Sequence, residues 1–261
     1  NQGAEHDKVA GMQGNQFVWV PVENPDEYFE KETVKLNGVE TTTNVYSKLT
    51  IREGDSYTSV KPGDTSSVRE PDVLSSYDTD AQYYQDILGY GSTKLMADAF
   101  VEEYTEMYES IKKYGGFYIG RYELTGTVNI PTVKTGTAQT GNWYGLRKAC
   151  TEIIKNNANV ASIMIYGVEW DMTMEWLKKT IFVGSLEKVD EDSSSWGNYS
   201  NSSGAAAIEG AGEKQNTGYS EAWSANHIYD LAGNCWDCTQ EATSTNYRVV
   251  RGRQLRCFRQ F

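Results

Sequence analysis

The sequence has 261 residues and a formal net charge of −12, with 39% hydrophobic and 23% charged residues. Such values are typical of a globular protein with a sizeable core, and the acidic charge argues against nucleic acid or an anionic membrane as a partner. No apolar run reaches the length needed to cross a bilayer, so we expect no membrane insertion.

The chain opens with a polar, Gly-rich stretch, residues 1–16, which we predict to be a flexible leader. Residues 17–261 are predicted to form a single domain. Its first strand is predicted at Phe17–Val22, where Pro21 restricts the strand end to a sheet edge or a bend.

A polar insertion rich in Asp, Ser and Thr occupies about residues 24–92. Within it, residues 32–36 and 45–51 are predicted to pair as a hairpin across Asn37-Gly38, because Asn-Gly is a favoured hairpin turn. Residues 53–90 show little periodicity and are predicted to be mainly loop.

The clearest helix is predicted over residues 94–114, because its apolar side chains recur at helical spacing and form one face. The residues of this face are Phe100, Tyr104, Met107, Tyr108 and Ile111. Gly115-Gly116 is expected to stop the helix, and Phe117–Tyr122 is expected to follow as a strand.

Two further helices are predicted, over about residues 142–157 and 169–183. In the first of them Cys150 lies on the apolar face, so we expect a buried core thiol. Residues 161–168 are predicted to be a short strand or the approach to the last helix. Residues 184–220, rich in Ser, Gly and Asn, are predicted to be low-complexity loop, in which any order would come from tertiary packing or from a bound ion. The buried side of the last helix is expected to hold Trp170, Met174, Trp176 and Leu177.

The stretch that follows this loop combines a tight turn with a strand. Leu231-Ala232-Gly233-Asn234 is a turn signal, because Gly and Asn accept positive φ at low cost. Trp236 follows directly as a large apolar anchor. Tyr247–Arg251 alternates like a half-buried strand and ends at Gly252.

The run Ile228–Asp237, followed by Arg248-Val249-x-Arg251-Gly252, resembles the signature of the formylglycine-generating-enzyme (sulfatase-modifying-factor) family. The resemblance spans roughly residues 17–252. It implies an α+β fold of the C-type lectin-like, formylglycine-generating-enzyme-like kind, with two to three helices, small antiparallel sheets and long loops. The family includes oxidases and also binding proteins that retroelements diversify. Three further segments match in the right order, namely Phe17–Val22, Gly116–Glu123 and Gly167–Asp171.

The enzymatic alternative within this resemblance needs a pair of cysteines that holds copper just after the Arg-Gly segment. The sequence offers only Cys257 there, and a single thiolate does not make the two-thiolate site that copper(I) favours. Cys235 and Cys238 have C-x-x-C spacing, which we interpret as incidental in preference to a disulfide or a metal site. The histidines His6 and His227 are too few for an iron site. We therefore expect a protein that is not an enzyme and has no cofactor.

The resemblance favours a non-enzymatic, receptor-binding type of protein, similar to the variable proteins of diversity-generating retroelements, whose diversified C-terminal region contacts the ligand. The expected ligand is a protein or glycan on a cell surface, and the expected location is extracellular, on a bacterial or phage surface. The sequence leaves the oligomeric state open. The candidate ligand-binding residues are Asp237, Thr243, Asn246, Tyr247, Arg253, Gln254, Arg256 and Phe258.

Two alternatives complete the expectations. The runner-up function is a copper oxidase of the formylglycine-generating type, or a degenerate relative, that acts on a peptide cysteine, and the third class is a structural pilus or tail component. Some family members bind calcium through loop oxygens, which makes Asn226, Asp230 and Asn234 candidate ligands of a structural calcium ion. We favour a structural role in the turn over calcium binding, because Asn and Asp in tight turns bond to their own backbone.

Overall fold

A computed structural model of the chain describes residues 14–36, 39–46, 49–53, 56–60, 86–91, 93–155, 157–181, 193–244 and 247–252. Within these ranges the protein is mixed α+β, with three α-helices and a set of small antiparallel sheets of two strands each. No helix in the described ranges is long and apolar enough to cross a membrane.

The helices occupy the middle of the chain. They are α1 (Thr93–Tyr114), α2 (Trp143–Glu152) and α3 (Gly167–Thr180). The prediction of α1 is confirmed, since all five apolar residues of its predicted face are buried. All of this face except Phe100 packs against Tyr166, Val168 and Met172 at the start of α3, and this cluster is one of the main cores of the protein.

Within the described residues, each strand pairs with a single other strand. They are β1 (Phe17–Pro21), β2 (Phe29–Leu36), β3 (Val39–Tyr46), β4 (Leu49–Glu53), β5 (Ser56–Val60), β6 (Gly116–Gly120), β7 (Thr125–Thr127), β8 (Ile130–Thr132), β9 (Ser224–Ala225), β10 (Ile228–Tyr229), β11 (Asp237–Ser244) and β12 (Tyr247–Arg251). The antiparallel pairs are β1 with β6, β2 with β3, β4 with β5, β7 with β8, β9 with β10 and β11 with β12.

The insertion holds more strand than the sequence suggested. A hairpin joins the strands on either side of residues 37–38, as predicted, but Leu36 lies opposite Val39, so the predicted pairing of 32–36 with 45–51 is wrong. The loop prediction is also wrong for residues 56–60, which pair with β4. The cause is register, since a two-residue turn sets adjacent residues opposite each other. Residues 61–85 lie outside the described residues.

The pair β1–β6 joins the first strand to the end of α1. Gly115 has a φ of +73° and donates its N–H to the carbonyl of Ile111 over 2.8 Å, which ends the helix as predicted. Gly116 then sits opposite Pro21, and a Cβ at Gly116 would lie 2.3 Å from the carbonyl oxygen of Val20. The close approach therefore requires glycine at position 116. Ordered structure begins before β1, since buried Asn15 accepts the N–H of Val133 over 2.8 Å.

Helix α2 is shorter than predicted and ends at Glu152 rather than near residue 157. Beyond its end, two side chains accept hydrogen bonds from backbone N–H groups. The hydroxyl of Ser162 accepts the N–H of Ile154 over 2.9 Å, and the side-chain oxygen of Asn157 accepts the N–H groups of residues 159 and 160. Such local bonds compete with a helix, and Asn readily makes them.

Residues 193–236 contain little regular structure but are well packed. Trp196, Tyr199 and Leu231 are buried together with Trp170 and Leu177 of α3. The prediction that tertiary packing orders this loop is confirmed for its residues 193–220, and residues 182–192 lie outside the described ranges. The buried side of α3 is also confirmed, with Trp170 and Leu177 in the core and Met174 and Trp176 packed at its margin. This loop positions the candidate site.

Candidate functional site

The turn before β11 is built from residues in left-handed backbone conformations. Asp230, Gly233 and Asn234 have φ values of +62°, +91° and +54°. The side chains of Asp230 and Asn234 are nevertheless buried, at 2% and 0% exposure. Asn and Asp tolerate this conformation better than other residues with a side chain, because their short polar groups can bond locally.

Gly233 lies in direct contact with the backbone of Asn198. A Cβ at position 233 would come within 2.2 Å of the carbonyl oxygen of Asn198, so only glycine fits. The two segments are also hydrogen-bonded, since the N–H of Asn198 donates to the carbonyl of Ala232 over 2.9 Å. The turn is therefore fixed against the irregular loop.

Asn234 connects three distant parts of the chain through its side-chain amide. Its nitrogen donates to the carboxylate of Glu123 over 2.6 Å, and its oxygen accepts the N–H of Gln215 over 2.9 Å. Asn198 also donates to the same oxygen, over 3.4 Å. The amide thus has partners on both its donor and its acceptor side, as a buried polar group requires.

Glu123 is a buried acid at the centre of this arrangement. Its Oε2 accepts from Asn234, whereas its Oε1 is buried and has no hydrogen-bond partner among the described residues. Burial raises the pKa of Glu123 well above its usual range, and the charges of Asp237 and Asp230 raise it further. The hydrogen bond from Asn234 and the charge of Lys214 act in the opposite direction.

Asp230 supports the turn from the other side. Its Oδ2 accepts from the hydroxyl of Thr217 over 2.8 Å and from the N–H of Gly218 over 3.1 Å. Burial raises its pKa to about 6, although both hydrogen bonds lower it. The carboxyl therefore serves to hold the loop at residues 217–218 against the turn.

The calcium candidates make protein contacts instead of forming a common cage. Asp230 and Asn234 use side-chain oxygens to accept protein hydrogen bonds, and Asn226 donates to the hydroxyl of Thr180 over 2.7 Å. Asn226 also lies in a separate turn, between β9 and β10. This arrangement does not fit a calcium ion held jointly by the three residues. Within the described ranges no group of three His, Cys, Asp or Glu residues is placed to hold a metal ion.

The cysteines lie in different surroundings. None of the three cysteines in the described part of the chain forms a disulfide. Cys235 is buried at 3% exposure, while Cys150 and Cys238 are half-buried and pack at the margin of the same apolar cluster. Cys150 packs against the core but is half-buried, so the prediction of a fully buried thiol is met only in part. Desolvation still raises its pKa to about 12, which does not fit a reactive thiol. Cys257 lies outside the described residues.

The candidate binding residues divide into two groups along the hairpin of β11 and β12. Asp237 pairs with Arg251 at the base, next to the buried turn. Thr243 and Tyr247 lie at the other end, where Ser244 is opposite Tyr247. Six residues of strand separate positions 237 and 243, a distance of about 20 Å at the usual rise per residue. The other candidates lie outside the described residues, namely Asn246, Arg253, Gln254, Arg256 and Phe258.

The base of β11 is tied to the helices by bonds that the sequence did not suggest. The indole N–H of Trp143 donates to the carbonyl of Thr239 over 2.8 Å, and the N–H of Gln240 donates to the carbonyl of Ile165 over 3.0 Å. The amide of Gln240 also donates to Glu103 on α1 over 2.7 Å. The first half of β11 is therefore fixed to the body of the protein.

Gln240 belongs to a buried ionic network between α1 and α2. Arg147 donates to Glu103 over 2.9 Å and to the side-chain oxygen of Gln240 over 3.3 Å. The hydroxyl of Tyr166 donates to the second oxygen of Glu103 over 2.9 Å. Each charged group has partners, which a buried ion pair needs if it is not to destabilise the fold. The sequence offered little indication of this network, because the one feature that pointed to it was Arg147 on an otherwise apolar face of α2.

Comparison with known proteins adds no relative to this picture. No protein-family model, no curated protein and no solved structure matches the chain.

Proposed function

We propose that the chain is a non-enzymatic ligand-binding protein, in which a C-type lectin-like scaffold presents the β11–β12 hairpin and the residues after it to a protein or glycan on a cell surface. The proposal places the protein outside the cell or on a phage particle. The candidate contact residues are Thr243, Asn246, Tyr247, Arg253, Gln254, Arg256 and Phe258.

The proposal rests on one observation, namely that hydrogen bonds attach β11 to the helices at one of its ends. Its first half is bonded to α1 and α2 through Thr239 and Gln240, while its second half continues past Thr243 to Ser244, which lies opposite Tyr247 of β12. A strand that is fixed at one end and leads to a turn at the other suits recognition, because a rigid support lowers the entropy lost when a ligand binds. Substitutions at the turn end would leave the anchor unchanged.

The residue types of these candidates also support the proposal. Tyr supplies contact area together with a hydroxyl group, and Asn and Gln supply planar amides that bond to protein or sugar groups. Arg and aromatic residues are enriched at the centres of protein interfaces. Asp237 belongs to the base of the hairpin beside Glu123, so we assign it to the support and not to the contact surface.

The test is a binding screen of the full chain on a glycan array and on an array of extracellular proteins. A triple variant, Thr243→Ala, Asn246→Ala and Tyr247→Ala, should lose the hits while its melting temperature stays within a few degrees of the parent. The matched control replaces the same residue types at exposed positions elsewhere, namely Thr140, Asn201 and Tyr219.

The proposal is overturned if the triple variant keeps every hit, or if the control loses as many. The oxidase alternative makes a different prediction, since it requires thiol-dependent oxygen consumption by the copper-loaded chain. Oxygen uptake that disappears in the Cys257→Ser variant would establish that alternative and refute ours.

A further inference from the structure

A large open cavity lies between α1, the β1–β6 pair and the chain that leads from α2 to α3. Its volume is about 1300 Å³, and its walls include residues 116–120 and 157–165. Sites for single drug-sized molecules usually hold about 300–1,000 Å³. The cavity is therefore wide enough for a short stretch of polypeptide.

The residues of charged type that line this cavity are all acidic in the described part of the chain. Six acidic side chains line it, and the described lining residues include no Lys, Arg or His. Burial raises the pKa of Glu123 and of Glu169, which reduces their negative charge near neutral pH. In a cleft whose walls carry one sign of charge the field is concentrated, which attracts ligands of opposite charge. The six residues are Glu102, Glu103, Glu106, Glu123, Glu169 and Asp237.

Three of the six, Glu103, Glu123 and Glu169, already accept hydrogen bonds within the protein. Glu103 is paired with Arg147 over 2.9 Å, and Glu169 accepts the N–H of Tyr166 over 2.9 Å. Glu102 and Glu106 are exposed and lie one helical turn apart on α1. Glu123 contributes the buried Oε1 that has no hydrogen-bond partner within the described ranges. Burial raises the pKa of this carboxyl, and a bound guanidinium would favour its ionised form and donate to that oxygen.

Aromatic rings stand beside these acids. Trp19 and Tyr118 form an edge-to-face pair with centroids 4.9 Å apart, and Tyr118 keeps 64% of its surface exposed. Tyr114 at the end of α1 is 63% exposed and also lines the cavity. Exposed ring faces next to carboxylates favour a cation that can stack, because the ring quadrupole attracts positive charge.

We propose that this cavity binds an arginine-bearing segment of a partner protein, with guanidinium groups held by Glu102, Glu106 and Glu123 and stacked on Tyr118. Arginine fits better than lysine, because its planar guanidinium bonds to carboxylates with two parallel bonds and stacks on rings. The volume and openness of the cavity select a peptide segment over a free amine. This site is separate from the end of the hairpin, so the inference does not rest on the proposed function.

The test uses fluorescence anisotropy with the full chain and a labelled, end-blocked Gly-Arg-Phe-Arg-Gly peptide. The comparison peptide carries citrulline in place of both arginines, which keeps the shape and removes the charge. We expect the arginine peptide to bind at least about tenfold more tightly, as charge-assisted hydrogen bonds imply. Its affinity should fall as ionic strength rises.

Variants identify the site. Glu106→Gln and Glu123→Gln should each weaken the arginine peptide several-fold, whereas Glu209→Gln, which makes the same charge change at an exposed position outside the cavity, should not. Tyr118→Ala should also weaken it, with Tyr219→Ala as the matched exposed control. Because Glu106 and Tyr118 are surface residues, these two variants test the site even if Glu123→Gln proves unstable.

Equal binding of the citrulline peptide would overturn the proposal. Equal weakening by Glu209→Gln would do the same, since it would show attraction to the acidic surface as a whole. The triple variant at the end of the hairpin should bind the arginine peptide as the parent does, which separates the outcome here from that of the receptor-binding proposal.

Discussion

The side-chain amide of Asn234 donates a 2.6 Å hydrogen bond to the carboxylate of Glu123, a residue 111 positions earlier in the chain. This bond joins the segment that follows β6 to the turn that precedes β11. Because the same amide also accepts the N–H of Gln215, one side chain holds three segments together. The stability of the turn should therefore depend strongly on it.

The first prediction concerns this side chain. Asn234→Ala removes the donor to Glu123 and the acceptor for Gln215, and it leaves both groups buried. We expect a loss of about 2–4 kcal/mol in the free energy of unfolding, measured by urea denaturation. The control is Asn226→Ala, which has a similar positive φ of 47° but only one exposed side-chain bond. A loss for Asn234→Ala no larger than that of the control would contradict the prediction.

The second prediction separates backbone conformation from steric contact. Gly233 and Gly204 both have positive φ, at +91° and +55°. A Cβ at position 233 would clash with the backbone of Asn198, whereas a Cβ at position 204 would meet no atom within 4 Å. Gly204→Ala should cost about 1 kcal/mol, the ordinary price of a left-handed residue. Gly233→Ala must in addition push the Asn198 carbonyl away, so it should cost several times more or prevent folding. Thermal denaturation of the two variants side by side is the measurement, and equal melting temperatures would refute the argument.

The third prediction is a dependence of stability on pH that arises from Glu169. Burial, with a smaller contribution from Glu103, raises the pKa of Glu169 from 4.5 to about 7, although a bond from Tyr166 lowers it. The folded state therefore holds a proton that the unfolded state loses between these values. The stabilisation is complete below about pH 4.5 and is lost as the pH rises through about 7.

The measurement for Glu169 is urea denaturation across this pH range for the parent and for Glu169→Gln. The glutamine keeps an oxygen for the N–H of Tyr166 but cannot ionise. The stability of the parent relative to this variant should fall with rising pH, by up to about 3 kcal/mol at 1.36 kcal/mol for each pKa unit. Glu209→Gln, at an exposed position, serves as the control and should follow the parent. Parallel curves for the parent and Glu169→Gln would show that the carboxyl titrates normally.

The fourth prediction tests the anchor of the hairpin. Trp143→Phe removes the bond from the indole N–H to the carbonyl of Thr239 and should cost about 1–2 kcal/mol. Amide hydrogen exchange should then accelerate in β11 more than in β6, because local opening of the hairpin becomes easier. Trp176→Phe, at the margin of the core around α3, is the comparison and should leave exchange in β11 unchanged. Uniform acceleration in both variants would mean that the bond has no local role.

The parts of the fold that could be predicted are those that repeat at short range. The face of α1 recurs with helical spacing, so Phe100 and Ile111 could be assigned to the core from the sequence alone. The stop at Gly115 was equally local. β11 could not be predicted, since its residues do not alternate and its position depends on a bond from Trp143 to Thr239 and a bond from Gln240 to Glu103.

The candidate site was predictable only in outline. The sequence indicated the turn at Gly233-Asn234, because these residue types favour positive φ. It did not indicate that Glu123 lies beneath the turn, since nothing in a strand end distinguishes a buried acid from an exposed one. Nor could it show that Asp237 lies far along the strand from Thr243, because that distance follows from the extended conformation of β11, which the sequence did not indicate.

The link between Glu123 and Asn234 also bears on when the protein can fold during synthesis. The chain leaves the ribosome from its N-terminal end, so α1 and β6 emerge long before the turn that contains Asn234, the hydrogen-bond donor to Glu123. Until residue 234 has left the ribosome, the buried carboxylate lacks its donor, and β11 cannot reach α1 and α2 through Gln240. We expect the nascent chain to stay open over this interval and to close in one late step, at the slow rates typical of folds with distant contacts.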